Sequence, residues 1–518
     1  MNSFKWSTPE RRSGNQELSL IPSEIYLEIF SYFEPSDEIT EVQCNAVFSG
    51  LAFVCRFFCS VALPRLYRSV VFRGHKRESG QKEPVSFLKF CLEINKGSSW
   101  ACDLTCHVTD CSFEHWIPDS PSQRPLYAEF LRVYCKAMVK MEEIQSVTLD
   151  SVMISHRLLK SIAKLKKLKR LVVRECELDQ DFTEVDISKL RSLPIEEFTL
   201  VSAHQRPSSS FALLRGVPNT SDVVLNAHMW DDSSMSSVMN LQLTRLTLGT
   251  VLYEANLPQL AHVLNYLPSL THLSITSLTL VSVRHSATDP AFPLASSSLP
   301  CLRVLACPPL LAILFPKRAL NELDITGYIS EPAMALVHVY FNVNDDTIQT
   351  LARTTAAIHT LSIYSDMVSR GDSIIRHFPH LRKLHVIYGD RRSRVVIGEE
   401  SLTSVLESLS IGFRNTGEGS LPIRELKVDF ALINPWMVDL QRQRKAIGTY
   451  IETTFPQVIR VDLGAGVQWH RNDIWSDWQA YVPPARIEGK LVRALEWFSN
   501  SIIDYKRCFA KAGLLDRD

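Results

Sequence analysis

Apolar residues along this chain fall into two patterns, one helical near the N-terminus and one extended and recurrent beyond it. Between Leu18 and Phe33, Ile25, Ile29 and Phe33 recur every four residues with Tyr26 and Phe30 beside them, a broad apolar face at helical spacing. Pro22 suits the first helical position, and Glu24 places a negative charge in the first turn. The run Glu34-Pro35-Ser36-Asp37 reads as a turn. A second helix is predicted from Phe48 to Leu63, with Leu51, Val54, Cys55, Phe58 and Ala62 in register and Pro64 closing it. The stretch from Leu66 to Phe72 then reads as a short extended segment.

Beyond residue 84 the order changes. Segments of the form apolar-x-x-apolar-x-apolar recur with helix-like stretches between them: Ile144 to Leu149, Leu168 to Val173, Leu243 to Leu248 and Leu270 to Ile275. They continue at Leu320 to Ile325, Leu381 to Val386, Ile423 to Val428 and Val458 to Leu463. The interval between middle apolar positions is 24 from Val147 to Leu171, 27 from Leu246 to Leu273 and 23 from Leu361 to Leu384. It shrinks to 18 between Leu305 and Leu323 and widens to 38 between Leu323 and Leu361. A period near 25 with this strand signature is what leucine-rich repeats show, because a single strand and helix cannot bury their apolar faces alone and must stack on neighbours. The asparagine expected after the strand is missing at Arg174-Glu175-Cys176 and Thr276-Ser277-Leu278. The reading is therefore an irregular leucine-rich-repeat-like solenoid with parallel strands over residues 75–468, although a globular α/β domain gives much the same signal. Thr288 to Ser298 reads as a loop, and a helix beginning at Leu491-Val492-Arg493-Ala494-Leu495-Glu496-Trp497-Phe498 is expected in a C-terminal capping segment, 469–518.

Composition narrows the class. The chain has 518 residues, 56 of them basic and 56 acidic, and 45% hydrophobic, so a large core is affordable and a dominant nucleic-acid or acidic-membrane binder is disfavoured. Nineteen glycines are few for phosphate-cradling loops. Twelve scattered cysteines suit free thiols in a reducing compartment rather than a disulfide scaffold. Residues 1–17 are polar, without the apolar stretch of a signal peptide, and read as a disordered leader. The most apolar run, Pro308 to Phe315, falls short of the ~20 residues of a membrane helix. A cytoplasmic and/or nuclear protein is expected.

Three constellations are candidates for chemistry. Cys102, Cys106, His107, Cys111 and His115 have the residue types of a zinc site, but Leu104, Cys106 and Val108 alternate as one face of a strand, and no metal is expected. The basic run Lys164 to Arg170 is open to two readings, a nuclear or acidic-target patch and a solvated face behind repeat leucines Leu165, Leu168 and Leu171; the second is adopted. Trp469, Trp475, Trp478 and Tyr481, with His470 and Arg471, are read as a cap over the last repeat rather than a recognition surface. No Walker A, His-Glu-x-x-His or Gly-x-Ser-x-Gly sequence is present, and Gly464-Ala465-Gly466 has Trp469 where a dinucleotide loop needs its third glycine. No cofactor and no catalytic residue is assigned.

A family resemblance joins these observations. The runs Ile21-Pro22-Ser23-Glu24-Ile25, Ile29-Phe30-Ser31-Tyr32 and Val54-Cys55-Arg56 resemble an F-box, and Ala62-Leu63-Pro64-Arg65-Leu66-Tyr67-Arg68-Ser69-Val70 is similar to the ending common in fungal F-box-like proteins. The resemblance covers residues 18–74. Ile21 stands where leucine is usual, Phe58 where tryptophan is usual, and the stretch from Glu34 to Gly50 is longer than the compact form. The implied fold is a small helical F-box followed by the repeat region, a mixed α+β or α/β chain. The implied function is the substrate-recognition subunit of an SCF-type E3 ubiquitin ligase, which itself performs no catalysis. It would dock on the adaptor through Ile21, Pro22, Ile25, Ile29, Phe30, Leu51, Val54, Cys55 and Phe57 and hold an unknown target protein elsewhere. A non-catalytic repeat scaffold or ligand-binding protein with a degenerate F-box stays open beside it.

Overall fold

The structure, a computed structural model, describes residues 11–13, 16–18, 22–31, 33, 41–74, 87–118, 120, 124–179, 183–202, 209–227, 238–239, 241–253, 257–279, 294–295, 297–315, 318–326, 328–330, 345–353, 358–388, 399–414, 422–430, 440–463 and 467–481. The turn expected at Glu34, the C-terminal helix expected at Leu491 and most of the loop expected at Thr288 to Ser298 lie outside these residues. The chain divides into two compact units: Met1–Leu66, Tyr388–Glu407 and Arg424–Asp518 form one, Tyr67–Ile387 and Ser408–Ile423 the other. Among the described residues no helix is long and apolar enough to cross a membrane.

In the first unit, β1 (Arg11–Ser13) and β2 (Gln16–Leu18) form a short antiparallel pair within and just past the segment read as a leader. Three helices follow, α1 (Ser23–Ser31), α2 (Glu41–Ala52) and α3 (Arg56–Leu66). The single helix expected from Phe48 to Leu63 is thus broken at Phe53 to Cys55. There, Phe53 N–H bonds Gly50 O at 3.2 Å, Val54 N–H bonds Leu51 O at 3.0 Å, and the Cys55 thiol accepts from Phe58 N–H at 3.4 Å, capping α3. Pro64 does not close α3, which continues to Leu66.

The core of this module is Phe30, Cys44, Phe48 and Ala62, with Tyr26, Phe33, Leu51, Phe57 and Phe58 packed on it. Phe58 meets Phe30 edge-on at 5.2 Å and Tyr26 at 5.3 Å, arrangements that contribute ~0.5–1.5 kcal/mol beyond area burial. The inward stripe of α1 is therefore Tyr26, Phe30 and Phe33, and Ile25 and Ile29 turn to solvent.

The second unit is organised by strands. In chain order they are β3 (Ser69–Arg73), β4 (Asp110–Trp116), β5 (Ser146–Ile154), β6 (Arg170–Arg174), β7 (Glu177–Leu178), β8 (Glu197–Ser202), β9 (Asp222–Ala227) and β10 (Arg245–Tyr253). Then come β11 (His272–Thr279), β12 (Val304–Ala306), β13 (Glu322–Asp324), β14 (Tyr328–Ser330), β15 (Thr360–Tyr364) and β16 (Lys383–Tyr388). Omitting β7 and β14, they pair in chain order, every pair parallel. The two short strands lie beside β5 and β11. In the first unit β17 (Glu425–Phe430) and β18 (Arg460–Asp462) are parallel, and β19 (Gln468–His470) and β20 (Gln479–Tyr481) then run antiparallel. Helices such as Leu88–Lys96, Arg124–Met138, His156–Ile162 and Leu257–Asn265 connect strands. The architecture is mixed α/β, with a long, mostly parallel sheet.

Side-chain alternation at period two fixes the register. The middle apolar positions Val147, Leu171, Phe198, Val223, Leu246 and Leu273 align across neighbouring strands, and all are buried. A backbone device repeats with them. Gln145 O accepts from Lys169 N–H and Arg170 N–H, Lys169 O from Glu196 and Glu197, and Glu196 O from Ser221 and Asp222. Thr220, at a position where neighbours carry leucine or isoleucine, is buried because its hydroxyl donates to Ile195 O at 3.3 Å. The uneven spacing leaves the ladder intact. Leu305 pairs with Leu323 and Leu323 with Leu361, so added residues leave the sheet between strands.

Two glycines hold the helix Glu399–Phe413 against the turn before Gly371–His377. A Cβ on Gly412 would lie 2.2 Å from Val368 O, and one on Gly371 would lie 2.3 Å from Gly412 O. Gly412→Ala is expected to lower stability by about 1–3 kcal/mol in denaturant unfolding, since backbone cannot yield as a side chain does. Gly50→Ala, with nothing within 4 Å of the new methyl, is expected to be neutral or to stabilise α2 by up to ~1 kcal/mol.

A second tie joins two helices through a carboxylate. Asp186, enclosed at the start of Glu184–Ser188, accepts from Lys189 Nζ at 2.7 Å and from the Thr183 hydroxyl at 3.0 Å, and His156 Nδ1 lies against it. Lys189 above all, with Thr183 and His156, holds its carboxyl below the ordinary range. A depressed folded-state value means the contribution is present above the unfolded value, about 4, and is lost as pH falls through the folded one. Asp186→Asn is accordingly expected to flatten the most acidic part of the pH–stability curve, measured by denaturant unfolding from pH 7 downward.

Candidate functional site

The nine residues expected to face an adaptor separate into groups. Pro22 is exposed, as are Ile25 at 49%, Ile29 at 43% and Val54 at 64%. Phe30 belongs to the buried core of the module, and Leu51 and Phe57 pack against that core, so these three support the surface from behind. Cys55 is half-buried, its thiol committed to the cap of α3. Ile21 lies outside the described residues.

One residue of this surface escaped the sequence reading. Phe53 is 91% exposed beside Val54 at the break between α2 and α3. The signal was present as an aromatic immediately before Val54-Cys55-Arg56, but a continuous helix was assumed there and gave it no special place. Tyr26 touches Phe57 at 5.7 Å, so the N-terminal half of α1 packs on the start of α3. The α1 pair and the Phe53–Val54 turn therefore border one seam. Burying such side chains contributes ~1.5–3 kcal/mol each.

Along the sheet, charges are paired across strands. Arg170 meets Glu197 at 3.5 Å, Lys169 meets Glu196 at 3.4 Å and Lys167 meets Glu143 at 2.6 Å. Three basic side chains of the run Lys164 to Arg170 are thus engaged, while Leu165, Leu168 and Leu171 are buried behind them. Arg245 and Asp222 extend the pattern at 3.6 Å. Exposed pairs of this kind are worth ~0–1 kcal/mol each and mainly cancel one another's field.

At β13, β15 and β16 the register places Asp324, Ser362 and His385 side by side, with Ser362 Oγ 3.4 Å from His385 Nδ1. A nucleophilic relay needs histidine between serine and carboxylate. Here serine is in the middle, and Asp324 Oδ1 accepts from both Thr326 N–H and its hydroxyl. The arrangement does not assemble that relay.

The cysteine–histidine cluster is dispersed, and the strand expected through Leu104, Cys106 and Val108 is absent. Ser99–Leu104 is helical and Thr105–His107 a tight turn, since a short alternation is equally compatible with a helix end. Cys102 and Cys106 are exposed, and Cys111 is buried in β4. Burial pushes the Cys91 and Cys135 thiols up to about 12, and that of Cys111 higher still than its usual range. They are neither thiolate ligands nor nucleophiles near neutral pH. Among the described residues no group of three or more His, Cys, Asp or Glu could hold a metal ion.

The C-terminal aromatic group divides as well. Trp469 and Trp478 are buried, donating from Nε1 to Gln443 Oε1 at 2.7 Å and to Glu452 Oε1 at 2.6 Å. Arg471 is enclosed with them. It donates to Val458 O, Pro456 O and Ile474 O, pairs with Glu452 at 3.0 Å and lies 4.9 Å from the Trp478 ring centroid. Trp475, in contrast, is 89% exposed, with Tyr481 and Ile474 also open to solvent.

No family model matches the chain, and no curated protein matches it. Among solved structures, a structural-genomics protein from Bacteroides fragilis is 9% identical with a TM-score of 0.24, covering 39% of this chain and 68% of that one. TLR13 in its complex with ssRNA13 is 13% identical with a TM-score of 0.29, covering 64% of this chain and 41% of that one. At these scores the overlays carry no conclusion about fold or function.

Proposed function

We propose that this chain is the substrate-recognition subunit of an SCF-type E3 ubiquitin ligase working in the cytoplasm or nucleus. An F-box at 18–74 docks on the small adaptor of the complex, and an irregular leucine-rich-repeat-like region at 75–468 holds a target protein. The observation that supports docking is the exposed set Ile25, Ile29, Phe53 and Val54 on a helical module whose core closes without them. Left in water, these side chains forgo the stabilisation that burial against a partner would supply. The recurrent strand pattern and its parallel ladder support the repeat reading. The chain's contribution is proximity, raising the effective concentration of target lysines near a ubiquitin donor held elsewhere.

The test is capture of purified full-length chain by purified adaptor, with an unrelated well-formed F-box protein as control. Stoichiometric binding is expected. No binding while the control binds sinks the ligase reading and leaves a scaffold with a degenerate F-box.

A further inference from the structure

The loop between β19 and β20 contains two indoles in opposite situations. Trp478 is enclosed with the guanidinium of Arg471 against its ring and the carboxylate of Glu452 on both. Trp475 is open to solvent, with Asp473 two residues before it and Asp477 two residues after. The loop holds it firmly. Asp473 Oδ1 accepts from Trp475 N–H at 2.8 Å, Ser476 N–H reaches Asp473 O at 3.2 Å, and Arg471 Nη1 fixes Ile474 O at 2.9 Å. Hydrogen bonds from Ser476 and the Trp475 N–H keep the Asp473 carboxyl below its usual range.

Two cations approach this tip, and both are committed. Arg471 is enclosed against Trp478, and Arg444 pairs with Asp477 at 3.0 Å. An indole face between carboxylates favours a cation above it, through the ring quadrupole and ordinary Coulomb attraction. A tryptophan presented on a braced loop carries little further ordering cost on binding. We infer that the Trp475 tip, with Asp473 and Asp477, is a docking site for an arginine- or lysine-bearing segment of a protein partner. Ile474 and Tyr481 supply the apolar surround. The inference goes beyond adaptor docking and does not depend on it.

The probe is a fluorescein-labelled peptide alternating arginine with glycine and serine, titrated with full-length chain and read by anisotropy, against a counterpart with glutamate in place of arginine. The arginine peptide is expected to bind and to weaken as salt is raised. Trp475→Ala and the Asp473→Asn, Asp477→Asn pair should each weaken it by about tenfold, within the range of one partly desolvated cation–π contact. Asparagine keeps the loop's acceptor, so the fold is spared. Arg444→Ala should tighten binding by freeing Asp477. Equal binding by Trp475→Ala, equal binding of the glutamate peptide, or no binding by wild type overturns the inference. Iodide quenching supplies an independent check. If wild type and Trp475→Phe quench alike, Trp475 is shielded in the free chain, another occupant covers it, and the inference falls.

Discussion

Arg471→Ala is expected to lower the stability of the β17–β20 end of the molecule by about 3–5 kcal/mol, the cost of breaking a buried ion pair. The side chain is nearly enclosed, and it alone answers three backbone carbonyls, those of Pro456, Val458 and Ile474, besides Glu452. Alanine leaves those acceptors dry and removes the flat cation from the Trp478 ring. Each unsatisfied buried group costs ~1–3 kcal/mol, so the loss is not that of one contact. Arg471→Lys should recover less than half of it, because an ammonium cannot span a planar fork of acceptors or stack on indole. Urea unfolding followed by tryptophan fluorescence measures both variants. A change under 1 kcal/mol in Arg471→Ala contradicts this account.

The second large effect is on binding. Ile25→Asp combined with Val54→Asp is expected to weaken adaptor binding by more than ~100-fold, because each substitution forfeits apolar burial and adds a carboxylate that must be desolvated. Both positions are exposed in the free chain, so its stability should change by no more than ~0.5 kcal/mol. That asymmetry separates a docking surface from a core. Phe30→Asp would also abolish binding, but by unfolding a module in which Phe30 is buried, and circular dichroism would reveal it. Ile411→Asp, exposed on the helix Glu399–Phe413, should leave binding unchanged. Wild-type affinity in the double variant rules out this surface even where the chain does bind the adaptor.

Much of the sheet was legible in the sequence. Leu168 to Val173 and Leu270 to Ile275 announce strands because alternate positions must enter a core, and both run parallel to their neighbours. Strands whose buried positions are not leucine were harder to find. In β4 the inward positions are Cys111 and Phe113, and β12 is only three residues long. The N-terminal helices show a different limit. On α1, Ile25-Ile29-Phe33 and Tyr26-Phe30-Phe33 are adjacent stripes that spacing alone cannot rank. Phe57 and Phe58, some thirty residues on, choose the second.

The sequence by itself determined which segments alternate, and hence that a ladder of parallel strands with buried rows would form. It also placed the helical module before that ladder. Tertiary structure alone decided which apolar side chains stay in water. Ile25, Ile29, Phe53 and Val54 remain exposed, Trp475 parts from Trp478, and Lys167, Lys169 and Arg170 find partners on other segments. Periodicity reports the direction of a side chain relative to its own element. Exposure and charge pairing depend on what lies opposite, and that is supplied by residues distant in the chain.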